Sequence, residues 1–291
     1  MSSPVLFADD TNIICTHQDI NVLNDNIETV LQKINKWPQA NLLILNSKKT
    51  KIVHFSTKHP ETLQACIKYE DKYIENTNNT SFLGLIVDST LTWKSHLDKL
   101  SSKLNSATYI IRTLKPILTL NNLQIIYYSY VHSIISYGII FWGNSSHSNI
   151  IFKIQKRIIR ILTHSHHRTS CRELFKNLNI LPVQSQYVVS LAMFVIENLR
   201  EFTTNSDVHF LNTRQKSHLH PPLIRTTKGQ KGVRYMGVKI YNRLPTKIQS
   251  LSANKKQFHK ALKKFLLLGS FYTLEEFYNW PTVSELHAAY L

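Results

Sequence analysis

Hydrophobic positions in the first 40 residues follow a strand pattern and then a helix pattern. Two short apolar runs, Val5–Ala8 and Ile13–Cys15, flank a polar segment that begins with two aspartates. This predicts a strand, an acidic turn and a second strand. Apolar residues then recur at steps of three and four over Ile20–Trp37. That spacing predicts one face of a helix, with Asp19 as its N-cap and Pro38 just past its end.

Strand-like segments continue to about residue 90, so the first part of the chain is expected to be α+β. The turn Asn46–Thr50 separates the first two of these segments. We predict strands at Asn41–Leu45, Lys51–Phe55, Ala65–Tyr69, Tyr73–Glu75 and Ser81–Val87.

After residue 90 the hydrophobic period becomes helical. One apolar stripe covers Leu97–Leu114 and stops before Pro116, and another covers Ile151–Leu162. Ser170–Glu173 has the sequence of a capping box that would open another helix. A further helix is expected over Val183–Arg200.

A polar stretch at 203–232 interrupts these helices and has the proline and glycine content of a linker or a loosely ordered arm. Beyond it, Ser252 is expected to cap a last helix. The predicted fold class is therefore α+β in three regions. Residues 1–90 are mixed, 91–202 are mainly helical, and 203–291 form a basic linker with a C-terminal helical tail.

The stretch Pro116–Phe152 contains no charged residue and is long enough to suggest a membrane span. Polar residues within it, such as Asn121, Gln124 and His132, would be costly in lipid. We therefore predict a buried helix of a larger helical domain and expect no membrane partner.

Charge divides the chain near the same residue. The formal net charge is +17, yet residues 1–90 contain 8 Lys, no Arg and 10 acidic residues, a balance of −2. Residues 91–291 therefore hold 27 of the 35 basic and 8 of the 18 acidic residues, a balance of +19. A surplus of that size indicates a polyanionic partner, nucleic acid ahead of a membrane surface.

The three cysteines, Cys15, Cys66 and Cys171, lie far apart and form no CxxC pair. This argues against a disulfide framework or a zinc ribbon and favours a reducing compartment. The start of the chain has no basic segment, and its apolar run is too short for a signal peptide. The sequence thus predicts an intracellular protein and does not distinguish nucleus from cytoplasm.

Phe7-Ala8-Asp9-Asp10 is the segment with the most specific chemistry. Nucleotidyl transfer by two metal ions needs carboxylates that hold a pair of Mg²⁺ about 3.5–4 Å apart. A tight turn between two buried strands would hold Asp9 and Asp10 rigidly enough for that purpose. The alternative is an ordinary solvated pair of turn aspartates.

Several motifs occur in an order that resembles one enzyme family. Phe7–Thr11 is similar to a [YF]-A-D-D palm motif, and Asn46–Thr50 to an N-x-x-K-T block. Phe82–Gly84 resembles an F-L-G primer-grip strand, and Leu91–His96 an L-x-W-x-x-H segment that starts a thumb. Tyr241–Pro245 resembles an aromatic-Asn-x-Leu-Pro segment near the C-terminus. Taken together, the chain resembles the reverse transcriptases of non-LTR retrotransposons, most closely the jockey-like type.

This resemblance implies a partial palm followed by a helical thumb and a C-terminal region. The implied parent activity is RNA-directed DNA polymerase, with Mg²⁺ as cofactor and an RNA template and a DNA primer or target as partners. Asp9 would be the more important metal ligand, Asp10 would assist, and Lys49 would lie near the departing pyrophosphate. The residues that would position the primer end are Phe82, Leu83 and Gly84. The alternative for Lys49 is a solvated turn lysine. The alternative for Phe82–Gly84 is an ordinary buried strand.

The resemblance also predicts that these 291 residues do not polymerise on their own. A complete enzyme of this family takes its first metal-binding aspartate from an earlier palm strand and holds the nucleotide with a fingers region. Both would precede Met1, as would the endonuclease domain. We expect a fragment of such an enzyme, and the alternative is a non-catalytic nucleic-acid-binding module.

The helix over residues 151–162 is predicted to have a basic face that contacts nucleic-acid phosphates without sequence preference. Its cations, at steps of three, one and three, are Lys153, Lys156, Arg157 and Arg160. A solvated face and a membrane-surface helix are the alternatives. A nearby group matches no common zinc-site spacing, so we expect loop histidines that add to RNA contact. That group is His164, His166, His167 and Cys171.

Overall fold

The structure is a computed structural model of the 291-residue chain. It describes residues 2–7, 10–42, 46, 48–55, 68–69, 72–209 and 215–281. The chain divides into two compact units, Met1–Leu91 and Thr92–Leu291. The architecture is α+β, as the sequence predicts.

The first unit begins with an antiparallel hairpin of β1 (Ser2–Phe7) and β2 (Asp10–Cys15), in which Phe7 pairs with Asp10. This confirms the two predicted strands. The acidic turn predicted between them is shorter than expected, because Asp10, Thr11 and Asn12 pair with β1 and belong to β2. Four apolar side chains of the hairpin are exposed: Val5, Leu6, Phe7 and Ile14.

Helix α1 (Ile20–Ala40) follows the hairpin. The predicted N-cap is confirmed, because the Asp19 carboxylate accepts the Asn21 N–H at 2.8 Å and so satisfies a free donor of the first turn. The predicted end before Pro38 is wrong, since the helix continues to Ala40. A proline near the end of a helix removes only its own N–H bond to the carbonyl four residues earlier, and with two residues left in α1 that loss is a single hydrogen bond.

The remaining strands of this unit are short. The pairs are β3 (Lys51–Ile52) parallel to β6 (Glu75–Asn76), β4 (Lys68–Tyr69) antiparallel to β5 (Lys72–Tyr73), and β7 (Asn79–Phe82) antiparallel to β8 (Leu85–Asp88). The strand predicted over 41–45 is wrong at Asn41 and Leu42, which form a turn, and 43–45 lie outside the described residues. Ile74 is buried against Ile27, Leu31 and Ile52.

The second unit is helical. Its helices are α2 (Lys94–Leu114), α3 (Leu120–Ile126), α4 (Ser133–Ser136), α5 (Ile139–Trp142), α6 (Asn149–Leu162), α7 (Arg172–Asn177), α8 (Val183–Glu197), α9 (Asn205–Val208), α10 (Thr227–Gln230), α11 (Val233–Arg243), α12 (Thr246–Gln249), α13 (Lys255–Gly269) and α14 (Leu274–Asn279). A π-helical stretch, Tyr127–His132, joins α3 to α4, and a 3-10 turn, Leu199–Glu201, follows α8.

Helix α8 lies at the centre of the second unit and packs against α11 and α13. Its apolar residues surround its axis, as expected of a helix that is buried on all sides. Helix α2 packs along α6. The two apolar stripes predicted for these helices are confirmed, since Leu97, Leu104 and Ile158 are fully buried.

The uncharged stretch Pro116–Phe152 is divided among several short helical segments. Buried residues recur there every four positions, at Leu123, Tyr127, Val131 and Ile135. Four residues of an α-helix rotate through about 400°, which is about 40° more than one full turn. A π-helix has more residues per turn, so a four-residue step there rotates less and this excess is smaller. Within the part of the chain that the structure describes, no helix is both long and apolar enough to span a bilayer.

Two predicted helix starts are wrong. Helix α7 begins one residue later than the capping box requires, with Cys171 at its N-cap and no side-chain cap. The Glu173 carboxylate pairs instead with Lys176 at 2.9 Å. Helix α13 is capped by the side chain of Asn254, not by Ser252. The Ser252 N–H bonds to the carbonyl of Gln249, the last residue of α12, so the chain enters α13 two residues later.

The segment predicted as a linker, 203–232, is attached to the helices in its described residues. Leu219 is 4% exposed and belongs to the core of the second unit. Asn242 on α11 holds it with both ends of its amide, accepting the Leu219 N–H at 2.9 Å and donating to the Leu219 carbonyl at 2.8 Å. One amide thus satisfies both backbone groups of a buried residue, which gives the asparagine of Tyr241–Pro245 a structural role.

Candidate nucleic-acid interface

The residues predicted for metal chemistry are only partly described. Asp10 is the first residue of β2 and is exposed, whereas Asp9 lies outside the described residues. Among the residues that are described, no three His, Cys, Asp or Glu side chains form a group able to hold a metal ion. The Mg²⁺ site at Asp9 and Asp10 therefore stays a prediction.

Lys49 lies in a turn that Asn46 organises. The Asn46 backbone carbonyl accepts the N–H groups of Lys49 and Thr50, both at 3.0 Å, and its side-chain oxygen accepts the Lys49 N–H at 3.2 Å. Such side-chain bonds to nearby backbone are why asparagine favours turns. The Lys49 side chain is exposed, and its role beside pyrophosphate stays a prediction.

The segment Phe82, Leu83 and Gly84 is not the middle of a strand. Phe82 pairs with Leu85, so Leu83 and Gly84 form a two-residue turn between β7 and β8. Their φ values are 46° and 80°, and positive φ at both positions is what two-residue hairpins of type I′ require. The single strand predicted at Ser81–Val87 is therefore wrong. The primer-grip role of the three residues is untested by this geometry.

The segment Leu91–His96 leads into an aromatic cluster. Trp93 is the N-cap residue of α2, has φ 64°, and stacks on Phe141 with ring centroids 6.2 Å apart. His96 packs edge-on against Trp93, also at 6.2 Å, and is buried. Burial, and then the positive charge of Lys99 and Lys103, lower the pKa of His96 below its ordinary value. These contacts tie the start of α2 to α5.

The basic face of α6 points away from the core, as the sequence predicts. Ile151, Ile158 and Leu162 are buried on one side of the helix. On the other side the four predicted cations are exposed or half-buried: Lys153, Lys156, Arg157 and Arg160.

An open groove of about 480 Å³ runs along this face. Two further cations from the C-terminal end of α2, Arg112 and Lys115, line it as well. We call the full set the groove cations: Arg112, Lys115, Lys153, Lys156, Arg157 and Arg160. Ile161, Ser165 and His167 complete the lining, so the described part of the groove contains no carboxylate.

Two of the groove cations contact neutral groups. The Arg160 Nε–H donates to the Thr169 carbonyl at 2.9 Å, and Lys156 Nζ lies 4.6 Å from the centroid of the Phe152 ring. The ion pairs found among the described residues include none of the groove cations; those pairs are Arg172–Glu276, Lys176–Glu173 and Arg234–Glu201. The positive charge of the groove is therefore not compensated by these pairs.

The loop after α6 brings histidines to the end of the groove. His164, His166 and His167 are exposed, and the rings of His166 and His167 lie 4.1 Å apart. His167 lines the groove. Cys171, by contrast, is buried, and its thiol points to the Lys156 carbonyl at 3.7 Å. Burial raises the pKa of this thiol.

Comparison with known proteins finds two relatives. One is the "Probable RNA-directed DNA polymerase from transposon BS" of Drosophila melanogaster, 25% identical over 185 residues, which are 62% of this chain and 20% of that protein. The other is the "Probable RNA-directed DNA polymerase from transposon X-element" of the same organism, 25% identical over 162 residues, 54% of this chain and 18% of that protein. The chain resembles transposon RNA-directed DNA polymerases.

These two matches support a reverse transcriptase-like family for the chain. The chain spans about a fifth of the length of the curated relatives that it matches. No protein-family model matches the chain, and no solved structure does.

Sequence reasoning missed the contribution of α2 to the groove. Arg112 and Lys115 are three residues apart just before Pro116, so their basic character was visible. Their position beside α6 was not visible in the sequence, because it follows from the packing of α2 along α6.

Proposed function

We propose that these 291 residues are part of a jockey-like non-LTR reverse transcriptase, the first unit as part of its palm and the second as its thumb and C-terminal region. In the parent enzyme Asp9 and Asp10 would bind Mg²⁺ and Lys49 would lie near the departing pyrophosphate. Phe82–Gly84 would position the primer end. The order of the sequence motifs and the similarity to two transposon polymerases support this proposal.

Within the chain, the proposed function is to hold nucleic acid by its phosphates in the groove along α6. The observation that carries this is the convergence of six cations from two helices on one groove whose described lining contains no carboxylate. Arginine and lysine bind phosphate oxygens through charge-assisted hydrogen bonds that do not depend on base sequence. A groove of this composition therefore fits RNA or DNA of any sequence.

Helix electrostatics explain only some of these cations. Arg112 and Arg160 lie in the last turns of α2 and α6, where a cation stabilises a helix by interacting with its dipole. Lys153, Lys156 and Arg157 lie nearer the start or middle of α6 and gain nothing from that effect. An anionic ligand accounts for all of them together.

The salt dependence of binding gives a quantitative test. Each phosphate contact on a single strand lowers the slope of log K against log salt by about 0.7, so six contacts give a slope of roughly −4. Replacing Lys153, Lys156, Arg157 and Arg160 with Gln keeps good helix formers and removes four contacts. The slope should then shrink by about 3, with little change in preference between RNA sequences. Fluorescence anisotropy of the full chain with an unstructured RNA, at several salt concentrations, measures this slope.

A control variant with the same change in net charge separates contact from long-range attraction. It carries four Gln substitutions at exposed positions: Lys216, Arg225, Lys228 and Lys231. We expect this variant to lose affinity only at low salt, where the Debye length exceeds about 10 Å, and to keep most of the wild-type slope. Equal slopes for the two variants would show that the groove is not the contact surface.

We also expect no template-dependent primer extension by residues 1–291 on a homopolymer RNA template with Mg²⁺. Bridging two metals needs the earlier palm aspartate that the family resemblance places ahead of Phe7 and that these residues do not include. Extension by the wild type that disappears in Asp9→Ala would contradict this expectation.

A further inference from the structure

Helix α13 presents a second basic surface that shares no residue with the groove. Its sequence contains five lysines and one histidine and no acidic residue. We call these residues the α13 basic face: Lys255, Lys256, His259, Lys260, Lys263 and Lys264. Phe258, Leu262 and Leu266 are fully buried on the side of α13 that faces away from Lys256, Lys260 and Lys264. Lys255 and His259 lie nearer the buried side and are exposed in the first turns of the helix.

The charges of the α13 basic face do not stabilise the helix that carries them. Lys255 and Lys256 are its first two residues, where the helix dipole favours anions, and the first turn has no acidic residue. Lys256, Lys260 and Lys264 follow one another at four-residue steps, which places like charges side by side. The ion pairs found in the described residues include none of these lysines. A bound polyanion would relieve both repulsions.

An exposed aromatic ring lies next to this face. Lys263 Nζ lies 5.9 Å from the centroid of the Tyr128 ring in the π-helical stretch. The Tyr128 hydroxyl donates to the Asn179 carbonyl at 2.8 Å, which anchors the ring while 38% of the residue stays exposed. The ring therefore has a fixed position and a surface open to solvent.

Tyr128 also lines an open depression of about 630 Å³. Its other lining residues are Asn121, Gln124, Ile125 and Ser129, of which Ile125 is 65% exposed. The depression thus combines apolar surface with amide and hydroxyl groups, a composition that accepts a planar base with polar edges.

We propose that the α13 basic face and the Tyr128 depression form a second nucleic-acid site, specific for single strands. The lysines contact successive phosphates, and an unpaired base stacks against Tyr128. Proteins generally bind single strands with cations along the nucleic-acid backbone and an aromatic side chain on which a base stacks. Any base can stack there because every base has a flat face, whereas a duplex keeps its bases stacked inside. An anionic bilayer fits less well, since α13 buries Phe258, Leu262 and Leu266 in the core and Leu268, near its end, is the large apolar residue that it exposes.

The test combines two variants of the full chain. The first replaces Lys255, Lys256, Lys260 and Lys264 with Gln, which keeps Lys263 beside Tyr128 and removes repulsion, so its Tm should equal or exceed that of the wild type. With oligouridylate of 20 nucleotides, its salt slope should shrink by about 3 if all four contact phosphates. The four-site Gln control at Lys216, Arg225, Lys228 and Lys231 should keep most of the wild-type slope.

The second variant, Tyr128→Ala, should weaken oligouridylate binding about tenfold without changing the salt slope, and should leave affinity for a duplex RNA of equal length unchanged. Tyr128→Phe keeps the ring without its hydroxyl anchor and should bind more tightly than Tyr128→Ala. An unchanged slope in the lysine variant, or equal losses for duplex and single strand in Tyr128→Ala, would overturn the proposal. So would binding to phosphatidylserine vesicles that the lysine variant loses while its RNA binding is kept.

The test of the α13 site is independent of the test of the groove. If only the groove variant changes the slope, the α13 site is refuted and the groove stands; if only the α13 variant does, the reverse holds. If both sites exist, the variant with all eight substitutions should show the sum of the two slope changes.

Discussion

Gln155 connects the helix that carries most of the groove cations to the rest of its unit. It lies on the buried side of α6 and is 2% exposed. Its Nε2 donates to the Tyr127 hydroxyl and to the Leu181 carbonyl, both at 2.9 Å, and its Oε1 accepts the Val183 N–H at 3.0 Å. Replacing Gln155 with Met keeps the length of the side chain and removes all three hydrogen bonds.

The expected loss follows from the groups left behind. A buried polar group that loses its partner costs about 1–3 kcal/mol, so three groups give roughly 3–9 kcal/mol, toward the lower end if water enters. In a domain of this size 1 kcal/mol shifts Tm by about 2–4 °C, so 3 kcal/mol corresponds to roughly 6–12 °C. Tyr127→Phe removes one of the three bonds and should cost only about 1 kcal/mol.

Thermal unfolding of the full chain, followed by circular dichroism of the helical signal, measures both variants. Gln257→Met is the matched control, because Gln257 is exposed on α13 and the same substitution there should change stability by less than about 0.5 kcal/mol. If Gln155→Met unfolds within 2 °C of this control, or if Tyr127→Phe costs as much as Gln155→Met, the reasoning is refuted.

Three other outcomes are expected. Replacing Asn242 with Leu removes both hydrogen bonds to the Leu219 backbone. In urea the free energy of unfolding should fall by about 2 kcal/mol, and trypsin should cleave faster within 203–232. Unchanged cleavage would count against the attachment of this segment. Burial holds the pKa of His96 below 6.5, so near that pH the folded state keeps the ring neutral while the unfolded chain takes up a proton. The Tm should therefore fall as the pH drops through 6.5, and it should fall less steeply in His96→Gln. Amides of residues 1–90 should exchange faster than those of 94–200, because apolar side chains of the first hairpin are exposed and the core of the second unit is extensive; equal protection would show that the first unit is as stable as the second.

The features that the sequence by itself determined are those set by neighbours along the chain. The stripe Leu97–Leu114 and the two faces of α6 follow from the 3.6-residue turn, which brings every third or fourth residue to one side. The cap at Asp19 depends on a side chain reaching backbone two residues away. The hairpin at Leu83-Gly84 is equally local, and the glycine was the signal that the single-strand prediction overlooked.

Only the tertiary structure decided which distant residues meet. Arg112 and Lys115 join the groove because α2 packs along α6, and no spacing in the sequence specifies that packing. Asn242 reaches Leu219 across 23 residues, which places one residue of a segment with the composition of a linker in the core. Tyr128 gains its place beside Lys263 from the contact between the π-helical stretch and α13. Local periodicity fixes the face on which a side chain lies, whereas its partners across helices depend on how all the apolar faces are buried together.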